Sequence, residues 1–295
     1  MEQILSINGV SKAYGKIQAL KDVSFEVPPG SVFGILGPNG SGKTTMLGIL
    51  LNVLKADAGT YSWLGGMQQD EARRQIGSLL ETPNFYHYMS AWDNLGVAAA
   101  IKQRGQDDRE RVLQKVGLLE RKDSKFQTYS LGMKQRLAIG SALLGNPKVL
   151  VFDEPTNGLD PAGIAEIREL IRQLNKEGIT IIMASHLLDE VEKVCTHVAI
   201  LKKGELLLTG AVDEVLHSED QVEVKSGDLA ALSNIVSAMP GIHRVQQVNG
   251  SLQLSCDKTL LPAQINEYCM NKGIVLSHLA LKKKSLETKF MELTN

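Results

Sequence analysis

The chain has 295 residues, enough for one large domain or two ordinary ones. Its 32 lysines and arginines nearly balance 33 aspartates and glutamates, which argues against a broad cationic face for nucleic acid or anionic lipid. No apolar run approaches the roughly 20 residues that span a bilayer, and "MEQILSINGV" lacks the pattern of a signal peptide. Cys195, Cys256 and Cys269 have no metal-binding spacing, so we expect reduced thiols in a cytosolic protein.

The sequence pattern in the first part of the chain predicts strands, then a helix, then strands again. Residues 1–35 carry the β-branched and aromatic residues of short strands in "ILSINGVSKAY", "KDVSFEV" and "SVFGILG". From Gly42 the pattern becomes helical through "GKTTMLGILLNVLK", after which "GTYSWLGG" and "RRQIGSLLE" predict further strands. Residues 84–147 predict a helical region that ends at Pro147.

The next stretch alternates buried strands with helices. "KVLVFDEP" and "ITIIMASH" are the continuous apolar runs of buried parallel strands. Between them lies a helix with Asp160 as its N-cap, Pro161 in its first turn and Gly178 at its stop. "LLDEVEKVC" predicts another helix and "HVAILKKGELLLTG" a hairpin. This alternation predicts an α/β fold built on a parallel sheet.

The pattern changes near "HSED", residues 217–220, which we interpret as a linker. The segments beyond it follow the order β-α-β-β-α-β of a small ferredoxin-like α+β domain. We therefore predict a large α/β domain at 1–218, with a helical subdomain at about 84–147, and an accessory domain at 219–295.

The strongest motif is a phosphate-binding loop. Gly37–Thr44 fits G-x-x-x-x-G-K-[ST] and lies between an apolar strand and a helix, which is the context the motif requires. Its backbone N–H groups can point at phosphate oxygens, Lys43 can reach the β- and γ-phosphates, and the Thr44 hydroxyl can bind Mg²⁺. The predicted nucleotide-binding residues here are Gly37, Pro38, Asn39, Gly40, Ser41, Gly42, Lys43, Thr44 and Thr45.

Three polar residues at strand ends predict hydrolysis. Asp153 and Glu154 are neighbours on a strand, so their side chains point in different directions and have different roles. Asp153 suits Mg²⁺, and Glu154 suits a base that polarises the attacking water. His186 ends the next strand, on the side of the phosphate loop in a doubly wound sheet. A lone histidine is more often structural, but its neighbours favour a role at the γ-phosphate.

A second anion site is predicted in "YSLGMKQRL". Ser130 can cap a helix there, Gly132 leaves the backbone bare, and Lys134 and Arg136 add positive charge. One chain therefore carries two phosphate-binding helix ends.

These motifs, in this order, resemble the ATPases of ATP-binding cassette (ABC) transporters over residues 1–218. The resemblance implies a cassette with a parallel core sheet, an antiparallel N-terminal β subdomain and a helical subdomain facing a membrane partner. It implies that Tyr14 stacks on adenine, that Asp160 lies in a loop crossing between subunits, and that His186 is the switch histidine. It also implies that two cassettes face head to tail, so Ser130 and Gly132 of one hold the ATP bound to the other.

Two departures from the family pattern stand out. The segment "YSLGMKQ" matches the signature motif of the family, which is usually Leu-Ser-Gly-Gly-Gln. In it, Tyr129, Leu131 and Met133 replace the usual leucine, first glycine and glutamine. Glu81 replaces a glutamine that in this family normally contacts Mg²⁺ or water. A carboxylate can also ligate a metal, and its negative charge can instead repel the phosphates. With the C-terminal extension, these departures resemble the bacitracin-resistance and lantibiotic-immunity type of exporter.

The resulting hypothesis is an ATPase subunit that binds ATP and Mg²⁺, pairs with its own copy or a related cassette, and drives separate permease subunits from the cytoplasmic face of the membrane. The cargo expected by analogy is an exported peptide, drug or lipid-like molecule, and no nucleic acid is expected. The alternative is an ATP-gated clamp or regulator, although the chain lacks a long coiled-coil insertion and a second cassette. A small-molecule kinase would share only the phosphate loop.

Overall fold

A computed structural model of the chain describes residues 3–80, 84–216, 221–257, 259–282 and 286–294. Packing divides it into two compact units, Met1–Ala211 and Val212–Asn295. The short helix before the expected linker thus lies in the second unit. Residues 217–220, the predicted linker, lie outside the described residues, and the end of the ATP-binding domain at residue 218 stays a prediction.

The elements of the first unit follow the predicted order. Its strands are β1 Leu5–Tyr14, β2 Ile17–Val27, β3 Val32–Leu36, β4 Ala58–Trp63, β5 Ile76–Leu79, β6 Val149–Asp153, β7 Thr180–Ser185, β8 His197–Lys202 and β9 Glu205–Ala211. Its α-helices are α1 Lys43–Leu50, α2 Gln69–Arg74, α3 Ala91–Lys102, α4 Arg109–Lys115, α5 Leu131–Leu143, α6 Pro161–Lys176 and α7 Leu188–Val194.

Six strands of the described chain form the main sheet, in the order β5-β6-β7-β3-β8-β9. Neighbours are parallel except β9, which pairs antiparallel with β8 as the predicted hairpin. Strands β3, β6 and β7 are buried along their whole length, which explains their unbroken apolar sequence. A separate antiparallel sheet has the order β2-β1-β4. The parallel core sheet and antiparallel N-terminal subdomain are therefore confirmed.

Helix α1 is shorter than the sequence pattern indicates, because it ends at Leu50 rather than near Lys55. Asn52 adopts a left-handed backbone conformation with φ of 59°, which an α-helix cannot continue through. The N–H groups of Val53 and Leu54 instead donate to the carbonyl of Gly48, at 2.8 and 2.9 Å. The chain folds back onto α1 and continues from there to β4.

Helix α2 was not predicted, since Ala72 is its only buried residue and apolar periodicity is therefore absent. Its stabilisation is electrostatic. Asp70 and Glu71 occupy the first turn and Arg73 and Arg74 the last, so the charges complement the helix dipole.

The helical region contains α3, α4 and α5, as predicted. Serine side chains cap two of these helices: Ser90 accepts from the N–H of Asp93 at 3.0 Å, and Ser130 accepts from that of Met133 at 3.2 Å. Lys102, the last residue of α3, donates from Nζ to the carbonyl of Ser141 at 2.5 Å, near the end of α5. Burial, with a smaller contribution from Arg104, lowers the pKa of Lys102 to about 8.

This lowered pKa predicts a pH-dependent stability. Between pH 8 and the ordinary lysine value of 10.5, the unfolded chain holds a proton that folded Lys102 has released, so stability rises with pH in that window. Lys102→Met removes this titration. We expect the unfolding temperature of the natural protein to rise relative to that of the variant between pH 7 and pH 10. An unchanged difference would contradict the lowered pKa.

The second unit has the predicted ferredoxin-like order. Its helices are α8 Val212–Leu216, α9 Leu229–Ser237, α10 Pro262–Asn271 and α11 Leu286–Thr294, and its strands are β10 Gln221–Lys225, β11 Ile242–Val248, β12 Ser251–Cys256 and β13 His278–Lys282. The strands form an antiparallel sheet in the order β11-β12-β10-β13. Apolar residues of the sheet pack with Leu232, Val236, Ile265 and Cys269 of the helices in a separate core. Helix α11 was not predicted. Within the described ranges, no helix is long and apolar enough to cross a membrane.

Candidate functional site

The loop after β3 has the backbone of a phosphate cradle. Gly40 and Gly42 adopt positive φ angles of 78° and 108°, which only glycine tolerates without strain. A Cβ at Gly42 would lie 2.5 Å from the carbonyl oxygen of Ala19, whereas one at Gly40 would meet open space. Helix α1 then begins at Lys43 with no side-chain cap and no acidic residue in its first turn, so its N-terminal N–H groups are left for an anion.

Lys43 is held at the centre of this loop. Its side chain is only 6% exposed, and Nζ donates to the carbonyl oxygens of Gly37 at 2.8 Å and Pro38 at 3.3 Å. The same nitrogen lies 3.6 Å from Oε1 of Glu154. The ammonium group thus joins the phosphate loop to the end of β6.

Glu154 connects three elements. It adopts a left-handed conformation with φ of 48°, uncommon for a residue with a side chain, and its N–H donates to the carbonyl of Ala184 at 3.0 Å. Its Oε2 lies 2.9 Å from Nδ1 of His186. Strand β7 lies between β3 and β6 in the sheet, so the predicted lysine, glutamate and histidine meet at one edge.

Two side chains with oxygen donors, those of Thr44 and Asp153, belong to elements that end or begin at this edge of the sheet, and such donors suit a hard divalent cation. Thr44 is exposed in the first turn of α1, and Asp153 is buried at the end of β6. In the part of the chain that the structure describes, no group of three or more histidine, cysteine, aspartate or glutamate residues could hold a metal. A hydroxyl and a carboxylate are the kind of oxygen donors that Mg²⁺ uses, together with waters and substrate phosphates.

A cleft of about 710 Å³ surrounds the loop. Its lining includes the predicted residues Tyr14, Asn39–Thr45 and Glu154. Tyr14 is 47% exposed, as a stacking platform requires. Sequence reasoning missed the other lining residues, which lie on the β1–β2 hairpin and at the β8–β9 turn: Lys16, Ile17, Gln18, Ala19, Lys21 and Lys203. Proximity to Tyr14 in the sequence could have indicated the hairpin residues, but only the fold brings Lys203 here.

The signature segment does not line the cleft of its own chain. Ser130, Gly132 and Asp160 are not among the described residues that line it. Ser130 caps α5, a Cβ at Gly132 would meet nothing within 4 Å, and Asp160 caps α6 by accepting from the N–H of Gly163 at 2.9 Å. The first turn of α5 is therefore open to a partner from outside this chain.

The unusual Tyr129 has a structural explanation. Its ring is buried, and its hydroxyl donates to the carbonyl of Arg121 at 2.6 Å. Burial also raises the pKa of Tyr129. The other departure, Glu81, lies outside the described residues.

Fold and site together define a P-loop nucleotide-binding protein with a carboxylate beside the phosphate loop and a second helix N-terminus outside the cleft. A family profile described as ABC transporter matches residues 20–157. The chain is 36% identical to an uncharacterised ABC transporter ATP-binding protein of Bacillus subtilis, YdbJ, with 99% of this chain and 96% of the relative covered. It is 32% identical to the bacitracin transport ATP-binding protein BcrA of Enterococcus faecalis, with 99% and 97% covered.

Among solved structures, the fold is similar to that of the ATP-binding cassette MJ0796, a dimer in a post-hydrolysis state bound to ADP and Pi. The TM-score is 0.62 and the identity 28%, over 70% of this chain and 98% of that one. The chain belongs to the ATP-binding proteins of ABC transporters. It is the nucleotide-binding ATPase subunit of such a transporter, and the predicted resemblance to the bacitracin type is confirmed. These relatives disfavour the clamp and kinase alternatives.

Proposed function

We propose that two copies of this chain, or one copy and a related cassette, close around two ATP molecules and so drive separate permease subunits on the cytoplasmic face of a membrane. The observation that carries the proposal is the Lys43–Glu154–His186 cluster at the phosphate loop, combined with a signature helix that opens outside the same cleft. The phosphate loop and this cluster of one chain bind the phosphates of ATP, and the signature helix of the partner completes the site.

ATP binds with its phosphates over residues 37–45 and its adenine on Tyr14. The open space at Gly40 and the uncapped start of α1 let backbone N–H groups approach the phosphate oxygens. Lys43 then exchanges its carbonyl and carboxylate contacts for the phosphates. Lys16 and Lys203 add positive charge to the cleft wall.

Hydrolysis uses Glu154 as the acceptor for the proton of the attacking water. The Nδ1 atom of His186 lies within hydrogen-bonding distance of Oε2 and holds that carboxylate, which leaves the other ring nitrogen for the γ-phosphate or the water. Thr44 and Asp153 are the residues that would hold Mg²⁺, which neutralises the charge developing on the phosphates when it is bound. Displacing Lys43 onto ATP frees Oε1 of Glu154 for the water.

The partner subunit completes the site through Ser130 and Gly132. A helix N-terminus favours anions, and the bare first turn of α5 lets one approach closely. A two-fold contact between identical chains makes two such sites at once. Asp160 lies in the neighbouring loop, where it would cross toward the partner.

Export is the proposed direction of transport. BcrA is a bacitracin transport protein, and its similarity to this chain extends through the C-terminal unit. We therefore propose a peptide, drug or lipid-like cargo, recognised by the permease subunits. Glu81, between β5 and the helical region, would couple the nucleotide to those subunits.

Co-purification tests this function. An affinity-tagged chain expressed in its own cells should bring a polytopic membrane protein out of detergent-solubilised membranes, and ATP hydrolysis should co-elute. Lys43→Ala should retain the membrane partner and lose the hydrolysis. Isolation of a folded, ATP-binding chain with nucleic acid or ribosomes instead of a membrane protein would overturn the proposal.

A further inference from the structure

Tyr14, the proposed adenine platform, lies at the end of β1, where the strand is paired on one side only. Strand β1 lies between β2 and β4, and its pairing with β4 ends at Ser11 opposite Ala58. The register with β2 also shifts repeatedly up to Ala13. Ala13 and Tyr14 still pair with Gln18 and Ile17 of β2, but on the side of β4 the end of β1 has no strand neighbour, so another interaction can fix its position there.

Asp57 supplies that interaction. Its Oδ2 accepts from the N–H of Ala13 at 2.7 Å, on the side where β4 no longer pairs. Its Oδ1 accepts from Nζ of Lys12 at 2.7 Å, and its own N–H donates to the carbonyl of Ser11 at 2.9 Å. The Lys12 ammonium group lies 5.8 Å from the centroid of the Tyr14 ring, within reach of a cation–π interaction.

The segment that carries Asp57 is itself fixed to the phosphate-loop helix. Asp57 follows the turn that packs back on α1, where Leu54 lies against Gly48 so closely that a Cβ there would be 2.8 Å from Leu54 Cδ1. Lys12 and the Ala13 N–H lower the pKa of Asp57, so it is ionised at neutral pH. Asp57 thus connects the turn packed on α1 with the end of β1 that carries Tyr14.

We propose that Asp57 and Lys12 are positioning residues that set Tyr14 at a fixed distance from the phosphate loop, so that one nucleotide spans both. The inference rests on the proposed nucleotide site and deepens it. Neither residue needs to touch the nucleotide. Asp57 fixes the backbone on either side of Lys12, and Lys12 supports the ring.

The test separates the adenine end of the site from the phosphate end. Calorimetry would measure binding of ADP, which lacks the γ-phosphate expected to draw in a second copy, and of inorganic pyrophosphate. Tyr14→Ala should raise the Kd for ADP about tenfold, within the range of base–aromatic stacking. Asp57→Asn and Lys12→Met should each raise it about three- to fivefold, as a part of that stacking. Affinity for pyrophosphate should stay unchanged.

A double-mutant cycle distinguishes positioning from general support of the fold. In a Tyr14→Ala background, Asp57→Asn should cost no further ADP affinity, because the ring it positions is gone. Lys12→Arg should retain most of the affinity. Glu177→Gln, which breaks a remote ion pair with Lys115, serves as a matched surface control with unchanged Kd.

An equal loss of pyrophosphate affinity would overturn the positioning role, and so would the same loss of ADP affinity in the Tyr14→Ala background. Natural affinity for ADP in Asp57→Asn would overturn it as well. A folded natural chain that binds no nucleotide at all would instead overturn the proposed function. Circular dichroism and thermal unfolding of each variant identify any loss that comes from misfolding.

Discussion

Glu154→Gln is expected to bind ATP normally and to hydrolyse it at least about a hundredfold more slowly, the usual scale for losing a general base. That factor corresponds to about 2.7 kcal/mol of barrier. The amide keeps the size of the carboxylate, but it cannot accept the proton of the attacking water. ATP then persists in the site, so the variant should accumulate as an ATP-bound dimer.

The geometry makes this a selective change. Glu154 holds a left-handed backbone conformation, and glutamine faces the same backbone demand, so folding should be affected little. Single-turnover hydrolysis and light scattering with ATP would measure the two effects. Glu169→Gln, at an exposed position of α6, is the matched control and should behave as the natural protein. Near-normal turnover of Glu154→Gln would exclude Glu154 as the base.

Much of the phosphate end of the site could be predicted because its signals are local. The loop motif lies between a buried strand and a helix, and Asp153, Glu154 and His186 each end or follow an apolar strand. Parallel strands bring their carboxyl ends to one edge, so placing these residues together required only the sheet. The positions of Asp160 as a cap and of Ser130 as a cap followed from helix-start signals in the same way.

The part of the cleft wall formed by the β8–β9 turn could not be predicted, because it depends on contacts between distant segments. Lys203 reaches the cleft because the N–H of Lys21 donates to the carbonyl of Gly204 at 2.8 Å, which ties the β8–β9 turn to β2. The link between Asp57 and Ala13 forms where the pairing of β1 with β4 stops, and periodicity carries no signal for such a point. The short helix α2 was not predicted from the sequence because it has no apolar face, only complementary charges at its two ends.

The two phosphate-binding helix ends of one chain raise the question of which ATP each one serves. Within the described residues, the phosphate loop lines the nucleotide cleft and the first turn of α5 does not. If Ser130 and Gly132 act on ATP held by a second chain, two inactive variants should partly rescue one another. Lys43→Ala destroys the phosphate loop. Gly132→Asp puts a carboxylate where the helix end meets the γ-phosphate, a like-charge repulsion.

The position of Gly132 makes its variant informative. A Cβ there meets nothing within 4 Å, so the aspartate fits its own chain and the variant should fold. Gly132→Asn is the matched control, because it has nearly the same size without the charge, and it should weaken pairing less. Each variant alone should fail to form the ATP-dependent dimer.

Mixing the two variants should restore pairing in a defined fraction of the protein. Random association puts about half of all dimers in the mixed form, by the symmetry of a two-fold contact. In each mixed dimer one site carries both substitutions, while the other pairs an intact Lys43 with an intact Gly132. Light scattering on differently tagged chains would detect the dimer without requiring both sites to hydrolyse. If mixing restores no dimer, and Gly132→Asp alone cannot bind ATP as a monomer, then the signature acts within its own chain and the shared site is wrong.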